Sequence, residues 1–275
     1  MKNKQYIDSY KVLATQIRAQ ALKMAHRGKS CHIGSSLSIA DIIAVLYGKI
    51  LRLDPVRPDW ARRDRFILSK GHSCAALYAV LAEQGFFHRD RLKTYYQNGS
   101  YLAGHINYPG IPGVEVSTGS LGHGLSIGCG MALVGKRDKM PYRVFVLLGD
   151  GECNEGEIWE AVLFAQQHQL DNLIAIVDYN KIQGMGSTEE VLKLEPLAKK
   201  WSAFGWQTQE INGHNFQQIE KALTSIPFRP GKPSCILART VKGKGVSFME
   251  DKLLWHYKVP SDQELHLALK ELEEL

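Results

Sequence analysis

Apolar residues in the second half of the chain follow two alternating patterns. Short continuous apolar runs are typical of strands covered on both faces of a sheet, and apolar residues at every third or fourth position predict amphipathic helices. Together they predict strand 144–148, helix 157–169, strand 173–177, helix 192–204, strand 207–211, helix 216–226 and strand 234–239. Strands that alternate with helices indicate crossovers onto one sheet. We therefore predict a doubly wound, mostly parallel α/β fold with helices on both faces.

The first fifty residues predict two helices. Residues 7–27 have apolar side chains close to a 3.6-residue period, and Gly28 follows them as a helix end. A second helix is predicted over residues 38–50. Ser38 would be its N-cap, with Asp41 three residues later in the position of the capping-box glutamate.

The middle of the chain predicts one strand, one helix and a long loop. Residues 66–68 form a short apolar run, and residues 75–84 have a helical pattern. Nine glycines lie between residues 99 and 130, too many for a long helix before about Leu125. They alternate with His, Tyr and Pro rather than with Ser alone, so we expect an ordered loop.

Length and charge add limits to this picture. The chain has 275 residues, and no linker or repeat divides it, so we predict one domain over residues 1–275. The net charge is +6, but Lys and Arg do not form a block. This charge favours phosphorylated small molecules over nucleic acid as partners.

The remaining composition favours the cytoplasm. The start of the chain lacks the apolar region of a signal peptide. Its apolar runs are far shorter than the ~20 residues that cross a bilayer, so we expect no membrane partner. The five cysteines are scattered, odd in number and without a C-x-x-C pair. Reduced thiols in a cytoplasmic protein fit this pattern better than disulfides.

Polar residues follow two predicted strands at the edge where doubly wound sheets bind ligands. G-D-G occupies 149–151 and D-Y-N occupies 178–180. If the two strands are neighbours, their ends lie about 5 Å apart, and Asp150 and Asn180 could then share one octahedral Mg²⁺. The glycines would let the backbone approach a phosphate, towards which helix 157–169 would point its first amides. G-D-G alone could equally be a strand-to-helix turn, but Asn180 favours the metal site.

The stretch GDGECNEGEIWEAVLFAQQHQLDNLIAIVDYNKIQ resembles the thiamine diphosphate motif, which opens with G-D-G and closes with an Asn-containing turn. The resemblance implies that Asp150 and Asn180 bind Mg²⁺ (or Ca²⁺ or Mn²⁺) through their side chains, and Ile182 through its backbone oxygen. It also implies that Gly151 and Asn180 contact the diphosphate cofactor. Glu155 matches a glutamate that communicates with the catalytic glutamate of a partner domain.

Four of the ten histidines lie in segments that match the transketolase family: SCHIGSSLSIAD, FILSKGHSCAALYAVL, GHINYPGIPGVEVSTGSLGHGLSIGCGMAL and KLLWHYKVP. Imidazole exchanges protons near neutral pH, as required when a sugar hydroxyl loses its proton. The resemblance implies that His72 and His256 contact the cofactor diphosphate, with His256 also near the substrate. It implies that His32 and His105 bind the hydroxyls and carbonyl of the donor sugar, as catalytic residues with His256.

The same resemblance covers the turn at Gly119, Ser120 and Leu121. These residues would contact the pyrimidine and thiazolium of the cofactor, with Leu121 helping to enforce its bent shape. His123 stands where the family usually has Gln, so no role is assigned to it. His214, in INGHNF, resembles a structural turn of the family.

The resemblance to the transketolase N-terminal half extends over about residues 10–270. It implies the thiamine diphosphate-binding fold and transfer of a two-carbon ketol unit from a ketose phosphate to an aldose phosphate. In the family, a glutamate on a following pyrimidine-binding domain promotes formation of the thiazolium ylid. Because the chain stops at Leu275, we expect the pyrimidine-binding and C-terminal domains on a partner, a C-terminal transketolase subunit, in an α₂β₂ assembly.

Other interpretations stay open at this point. A 2-oxoacid decarboxylase or dehydrogenase component would keep G-D-G and Asn180 without the four histidines. Deoxyxylulose-phosphate synthase is a nearer relative, but SKGHS and IPGVEVSTGSLG fit it poorly. Intact Asp150, Asn180 and His72 argue against a cofactor-binding module without catalysis. Lys242 and Lys244 in TVKGKG either hold phosphate or face solvent.

Overall fold

A parallel sheet forms the centre of the fold in the computed structural model, which describes residues 2–274 and side chains from residue 6 onwards. Five strands of the described chain pair in the order β1-β2-β3-β5-β4, and all four pairings are parallel. Their bounds are β1 Arg65–Leu68, β2 Val144–Gly149, β3 Leu173–Tyr179, β4 Gln207–Asn212 and β5 Ser234–Arg239. Every predicted strand is therefore confirmed to within two residues at each end.

Side chains of the strands alternate between two apolar cores, one on each face of the sheet. On β2, Phe145 and Leu147 belong to the core that includes the first four helices. Val144, Val146 and Leu148 belong to the core on the opposite face. Because both faces are covered, the strand has no polar alternation. The predicted α/β fold with helices on both faces is confirmed.

The helices vary in length around this sheet. They are α1 Lys2–Gly28, α2 Ile33–Ser38, α3 Ala40–Val45, α4 Cys74–Glu83, α5 His123–Arg137, α6 Gly156–Gln167, α7 Thr188–Val191, α8 Leu197–Ala203, α9 Phe216–Thr224 and α10 Asp262–Glu273. A π-helical turn, Leu46–Ile50, extends α3. Among residues 2–274, no helix combines the length and the apolar character needed to cross a membrane.

The predicted start of the second helix is wrong. Ser38 is the last residue of α2 rather than an N-cap, and its hydroxyl donates to Asp178 at 2.6 Å. Asp41 pairs with Arg18 at 2.7 Å instead of completing a capping box. Both side chains are buried, so distant polar partners outweigh the local helix-capping pattern.

The helix predicted over residues 192–204 is also shorter than expected. It begins as α8 at Leu197, with Pro196 as the preceding N-cap. Proline disfavours helical geometry in the residue before it, which excludes Glu195 from the helix. A separate short helix, α7, precedes this break, and Ser187 opens it with a capping box.

Two further features concern the loop and the C-terminal part. The glycine-rich loop is confirmed, and α5 begins at His123, two residues before Leu125. A Cβ atom at Gly128 would lie 2.6 Å from Val146, so this glycine lets α5 lie close to β2. Sequence reasoning missed α10, although Ser261 and Glu264 form the capping box that identifies its start.

A buried ion pair links α1 to α3 and gives the first prediction. Burial favours the neutral form of Asp41, but the Arg18 guanidinium and His214 outweigh it and lower the pKa of Asp41 to about 2. Asp41→Asn leaves Arg18 without its charge partner, so we expect the free energy of unfolding to fall by about 3–5 kcal/mol. Urea unfolding at pH 7 measures this loss.

The pH dependence has a definite sign. The folded-state pKa of Asp41 is depressed from 3.8 to about 2, so its stabilising contribution is present above pH 3.8 and is lost as the pH falls towards 2. The stability difference between the unaltered chain and Asp41→Asn should shrink across that interval. Asp54→Asn, at an exposed ion pair, is the control and should change little. An equally small effect of Asp41→Asn would contradict the assignment.

A candidate active site at the carboxyl ends of the strands

The two polar turns predicted to meet at the sheet edge lie side by side. β2 pairs directly with β3, and Gly149 stands opposite Asp178 in the register. The backbone N–H of Asp150 donates to the carbonyl of Asp178 at 3.2 Å. The condition on which the predicted site depended, that these strands are neighbours, is therefore met.

A cleft of about 660 Å³ lies beyond these strand ends. Its walls include all the predicted site residues except Ser120: His32, His72, His105, Gly119, Leu121, Asp150, Gly151, Glu155, Asn180, Ile182 and His256. Ser120 is exposed and lies outside the cavity wall. The cleft thus gathers residues from segments that are far apart in the chain.

At one end of the cleft, three oxygen atoms predicted as metal ligands already accept hydrogen bonds. The Asp150 carboxylate accepts the backbone N–H of Gly151 at 2.7 Å. The amide oxygen of Asn180 accepts the backbone N–H of Ile182 at 3.0 Å. The Ile182 carbonyl accepts from the Lys242 ammonium at 2.9 Å. These donors hold the three oxygens in place at the edge of the cleft.

The donor set suits a hard cation that keeps other ligands. Within the described residues, no cluster of three or more His, Cys, Asp or Glu side chains could hold a metal. One carboxylate, one amide and one carbonyl leave the rest of an octahedral shell to other oxygens, as is usual for Mg²⁺ bound with phosphates. Burial, together with the neighbouring Asp178 carboxylate, raises the pKa of Asp150 to about 6. A nearby cation would oppose this rise.

Two buried lysines bring positive charge to the same region. Lys70 is 1% exposed and forms an ion pair with Asp178. Lys242 is 2% exposed, and burial and the Lys70 charge lower its pKa to about 8. The alternative that Lys242 faces solvent is therefore wrong, whereas Lys244 is partly exposed and pairs with Glu250 at 3.0 Å. The arrangement is electrostatically suited to a group with several negative oxygens.

Among the residues of the cleft that sequence reasoning missed are Ser35, Lys70 and Gln183. The Ser35 hydroxyl lies 3.1 Å from Nε2 of His72. The Gln183 amide nitrogen is buried and, among the described residues, finds no hydrogen-bond acceptor. The sequence offered one signal for two of them, their position beside a predicted site residue. Lys70 precedes Gly71-His72, and Gln183 follows Ile182.

The four predicted histidines meet at the other end of the cleft. The ring of His32 lies 4.8 Å from that of His256, 5.1 Å from His72 and 6.0 Å from His105, measured between centroids. His32 has a left-handed backbone conformation, φ 67°, immediately before α2. This conformation is uncommon outside glycine, and here it places the ring among the other three.

Three of these histidines, His32, His72 and His256, are biased towards their neutral forms. Burial, followed by the charges of nearby His and Lys side chains, lowers the pKa of His32 to about 4. Burial and Lys242 lower the pKa of His256 to about 3, and burial and Lys70 hold the pKa of His72 well below its usual value. A neutral imidazole both donates and accepts a hydrogen bond. The cluster can therefore bind hydroxyl groups and exchange protons with them.

One contact defines the tautomer of His256. The Lys242 ammonium lies 2.9 Å from Nδ1 of that ring. An ammonium can only donate, so Nδ1 must accept, and the neutral ring carries its proton on Nε2. His256 therefore offers an N–H donor at its other nitrogen.

Two other histidines lie outside this cluster. His214 bridges the Asp41 carboxylate at 2.7 Å and the backbone N–H of Val241 at 2.8 Å, as expected for a structural residue. His123 is largely exposed, with its Nδ1 2.8 Å from Glu157.

The backbone amides nearest to the G-D-G turn belong to a 3₁₀ turn over residues 151–154, after which α6 starts at Gly156.

The fold and the cleft are those expected of a domain with a ligand site at the carboxyl edge of a parallel sheet. The chain matches the family described as transketolase, thiamine diphosphate binding domain, over residues 9–270, and it belongs to that family. It is similar to one subunit of the apulose-4-phosphate transketolase of Phocaeicola vulgatus, with 41% identity across 98% of this chain and 95% of that protein.

Two further relatives support the assignment. A 6-deoxy-6-sulfo-D-fructose transketolase subunit of a Clostridium species is 46% identical over 88% of each chain. The solved transketolase of Leishmania mexicana superposes with a TM-score of 0.91 at 32% identity. That alignment covers 96% of this chain but 41% of the solved chain, so this chain corresponds to about two fifths of that longer enzyme.

Proposed function

We propose that this chain is the thiamine diphosphate-binding subunit of a transketolase that transfers a two-carbon ketol unit from a ketose phosphate to an aldose phosphate. The observation that carries the proposal is the two-ended cleft. One end presents the oxygens of Asp150, Asn180 and Ile182, and the other end presents four clustered histidines. A decarboxylase or dehydrogenase component would need the first end but not the second.

The chain's own groups fit a cofactor diphosphate with its metal. Asp150 and Asn180 would bind Mg²⁺ through side chains, and Ile182 through its carbonyl oxygen, beside the Lys242 ammonium. A Cβ at Gly151 would lie 2.8 Å from the Gln183 side chain, so a larger residue would fill the space proposed for the diphosphate. The unpaired amide nitrogen of Gln183 supplies a donor there.

Other residues of the cleft would contact the rest of the cofactor. His72 and Lys70 would bind the diphosphate, and the turn at Gly119, Ser120 and Leu121 would contact the two rings. When bound, the cofactor would supply a nucleophilic carbon for the carbonyl of the donor sugar.

The histidine end would act on the sugar. His32 and His105 would orient the donor hydroxyls and carbonyl by hydrogen bonds. His256, with a proton on Nε2, would stand between diphosphate and substrate. Neutral rings can take a proton from a sugar hydroxyl and return it, as cleavage and re-formation of the carbon–carbon bond require.

We also propose a partner chain with a pyrimidine-binding domain, in an α₂β₂ assembly. Two relatives that align along most of their length carry the word subunit in their names. The mouth of the cleft is rimmed by exposed apolar side chains, with Met185 82%, Leu192 58% and Tyr257 57% exposed. Such a rim is typical of a surface that a partner covers, and Glu155 would face that partner.

The state of the cysteines is consistent with a reducing compartment. All five cysteines are free, and four of them are buried. Free thiols are usual where glutathione and thioredoxin keep proteins reduced. We therefore place the enzyme in the cytoplasm.

The division of roles among the histidines gives a direct test in the complex of this chain with its partner. His105→Ala should lower turnover about 10²–10⁴-fold, the usual contribution of a positioned proton-transfer group, while leaving cofactor affinity nearly intact. His72→Ala should instead weaken cofactor binding. Titration with thiamine diphosphate and turnover assays with a ketose phosphate donor separate the two effects.

A matched control is His88→Ala, because the His88 side chain is 78% exposed. It should change neither quantity. If His105→Ala weakened cofactor binding while His72→Ala affected only turnover, the proposed division would be refuted.

A further inference from the structure

Glu152 is a buried carboxylate of the cleft. Neither the thiamine diphosphate motif nor the histidine-containing segments assign a role to it. It is 2% exposed and lies two residues after Asp150, within the 3₁₀ turn. Its oxygens accept three hydrogen bonds: from the backbone N–H of Gly122 at 2.9 Å, from the backbone N–H of Gly149 at 2.9 Å and from the Ser69 hydroxyl. The three donors come from three separate segments of the chain.

Each donor borders a segment of the proposed cofactor site. Ser69 directly follows β1 and precedes Lys70. Gly122 directly follows the turn that ends at Leu121, and Gly149 is the last residue of β2, directly before Asp150. One carboxylate therefore connects the turn proposed to contact the cofactor rings with the segment proposed to hold its diphosphate.

We propose that Glu152 is a positioning residue, which holds these two segments at the separation that the bent cofactor requires. The inference rests on the proposed function, because it names how the same site is organised. A carboxylate suits the task because both of its oxygens accept hydrogen bonds and neither donates.

The charge-neutral amide should fail at this position for a geometric reason. Gln has nearly the same size but offers one acceptor oxygen and one NH₂ donor. Oε1 of Glu152 serves Gly122 and Ser69, whereas Oε2 serves Gly149. In either orientation, Glu152→Gln keeps the contacts on one side and turns an N–H towards a backbone N–H on the other side, that of Gly122 or that of Gly149.

Two measurements on Glu152→Gln test the inference. In the cofactor-free full chain, amide hydrogen exchange should be faster at Gly122 or at Gly149 than in the unaltered chain. In the complex with its partner, the dissociation constant for thiamine diphosphate with Mg²⁺ should rise about 10–100-fold, as expected for losing a buried hydrogen bond to a charged group. At saturating cofactor, the KM for the ketose donor should stay unchanged.

Glu160→Gln is the matched control, because Glu160 is an exposed carboxylate on α6. It should alter neither exchange nor affinity. A merely structural role of Glu152 would lower the urea midpoint of Glu152→Gln and leave the affinity of the folded protein unchanged, and that result would overturn the inference. Amide exchange at Gly122 and at Gly149 that is no faster in Glu152→Gln than in the unaltered chain would also overturn it. If the unaltered complex bound no thiamine diphosphate, the proposed function itself would fail.

Discussion

The purified chain alone should show no ketol transfer, and activity should appear when its partner is added. Residues of this chain line the cleft, whereas we propose that the glutamate that promotes ylid formation lies on the pyrimidine-binding domain of the partner. Without that group, the thiazolium proton should exchange at a rate close to that in water. Donor cleavage, assayed with this chain, with the partner and with the mixture, measures the difference.

The partner for this assay is a chain of about 300 residues that contains a pyrimidine-binding domain and a C-terminal domain, since single domains usually have about 100–150 residues. The mixture should have the mass of an α₂β₂ assembly, because two-fold pairing places each cleft at a contact between unlike chains. Replacing Met185 with Lys, at the exposed rim, should weaken assembly without affecting the fold of the isolated chain. Full turnover by this chain without a partner would overturn the split-enzyme proposal.

Asp150→Ala should abolish Mg²⁺-dependent binding of thiamine diphosphate in the complex. The substitution removes the only charged oxygen ligand proposed for the metal, so the diphosphate loses its neutralising bridge. We expect a loss of at least about 100-fold, since removing even an outer partner of a metal ligand lowers metal affinity 10–100-fold. Calorimetry with Mg²⁺ and with EDTA measures both the loss and its metal dependence.

Asp171→Asn is a suitable control for this substitution. Asp171 lies before the opposite end of β3 and forms a half-exposed ion pair with Lys136. It should leave cofactor affinity unchanged. Equal affinity of the unaltered complex for the cofactor in Mg²⁺ and in EDTA would refute the metal assignment. If circular dichroism showed that Asp150→Ala is unfolded, Asp150→Asn would be compared instead.

The sheet and the end of the cleft that holds Asp150 and Asn180 could be predicted from the sequence for physical reasons. A strand covered on both faces must be apolar throughout, so the runs at 144–148 and 173–177 identified β2 and β3. In parallel sheets the chain leaves each strand at the same edge, which placed Asp150 and Asn180 together. The histidines needed the resemblance to transketolases, because no local pattern distinguishes them from other histidines.

The partners of buried polar groups depended on the tertiary structure. Ser38 looked like a helix cap, yet its hydroxyl binds Asp178, 140 positions away. Lys70 and Glu152 gave no periodic signal, since each is a single polar residue beside a motif. Their roles follow from elements that come together only on folding.

The sequence by itself therefore determined the strands, the order in which they occur and the edge of the sheet that carries the site. The strands follow from local apolar runs, and the edge follows because strands separated by helices pair in parallel. Only the tertiary structure decided which side chain satisfies which buried charge, including the Lys70–Asp178 pair and the three donors of Glu152. Desolvation makes such pairing obligatory, but the choice of partner depends on which distant segments become neighbours.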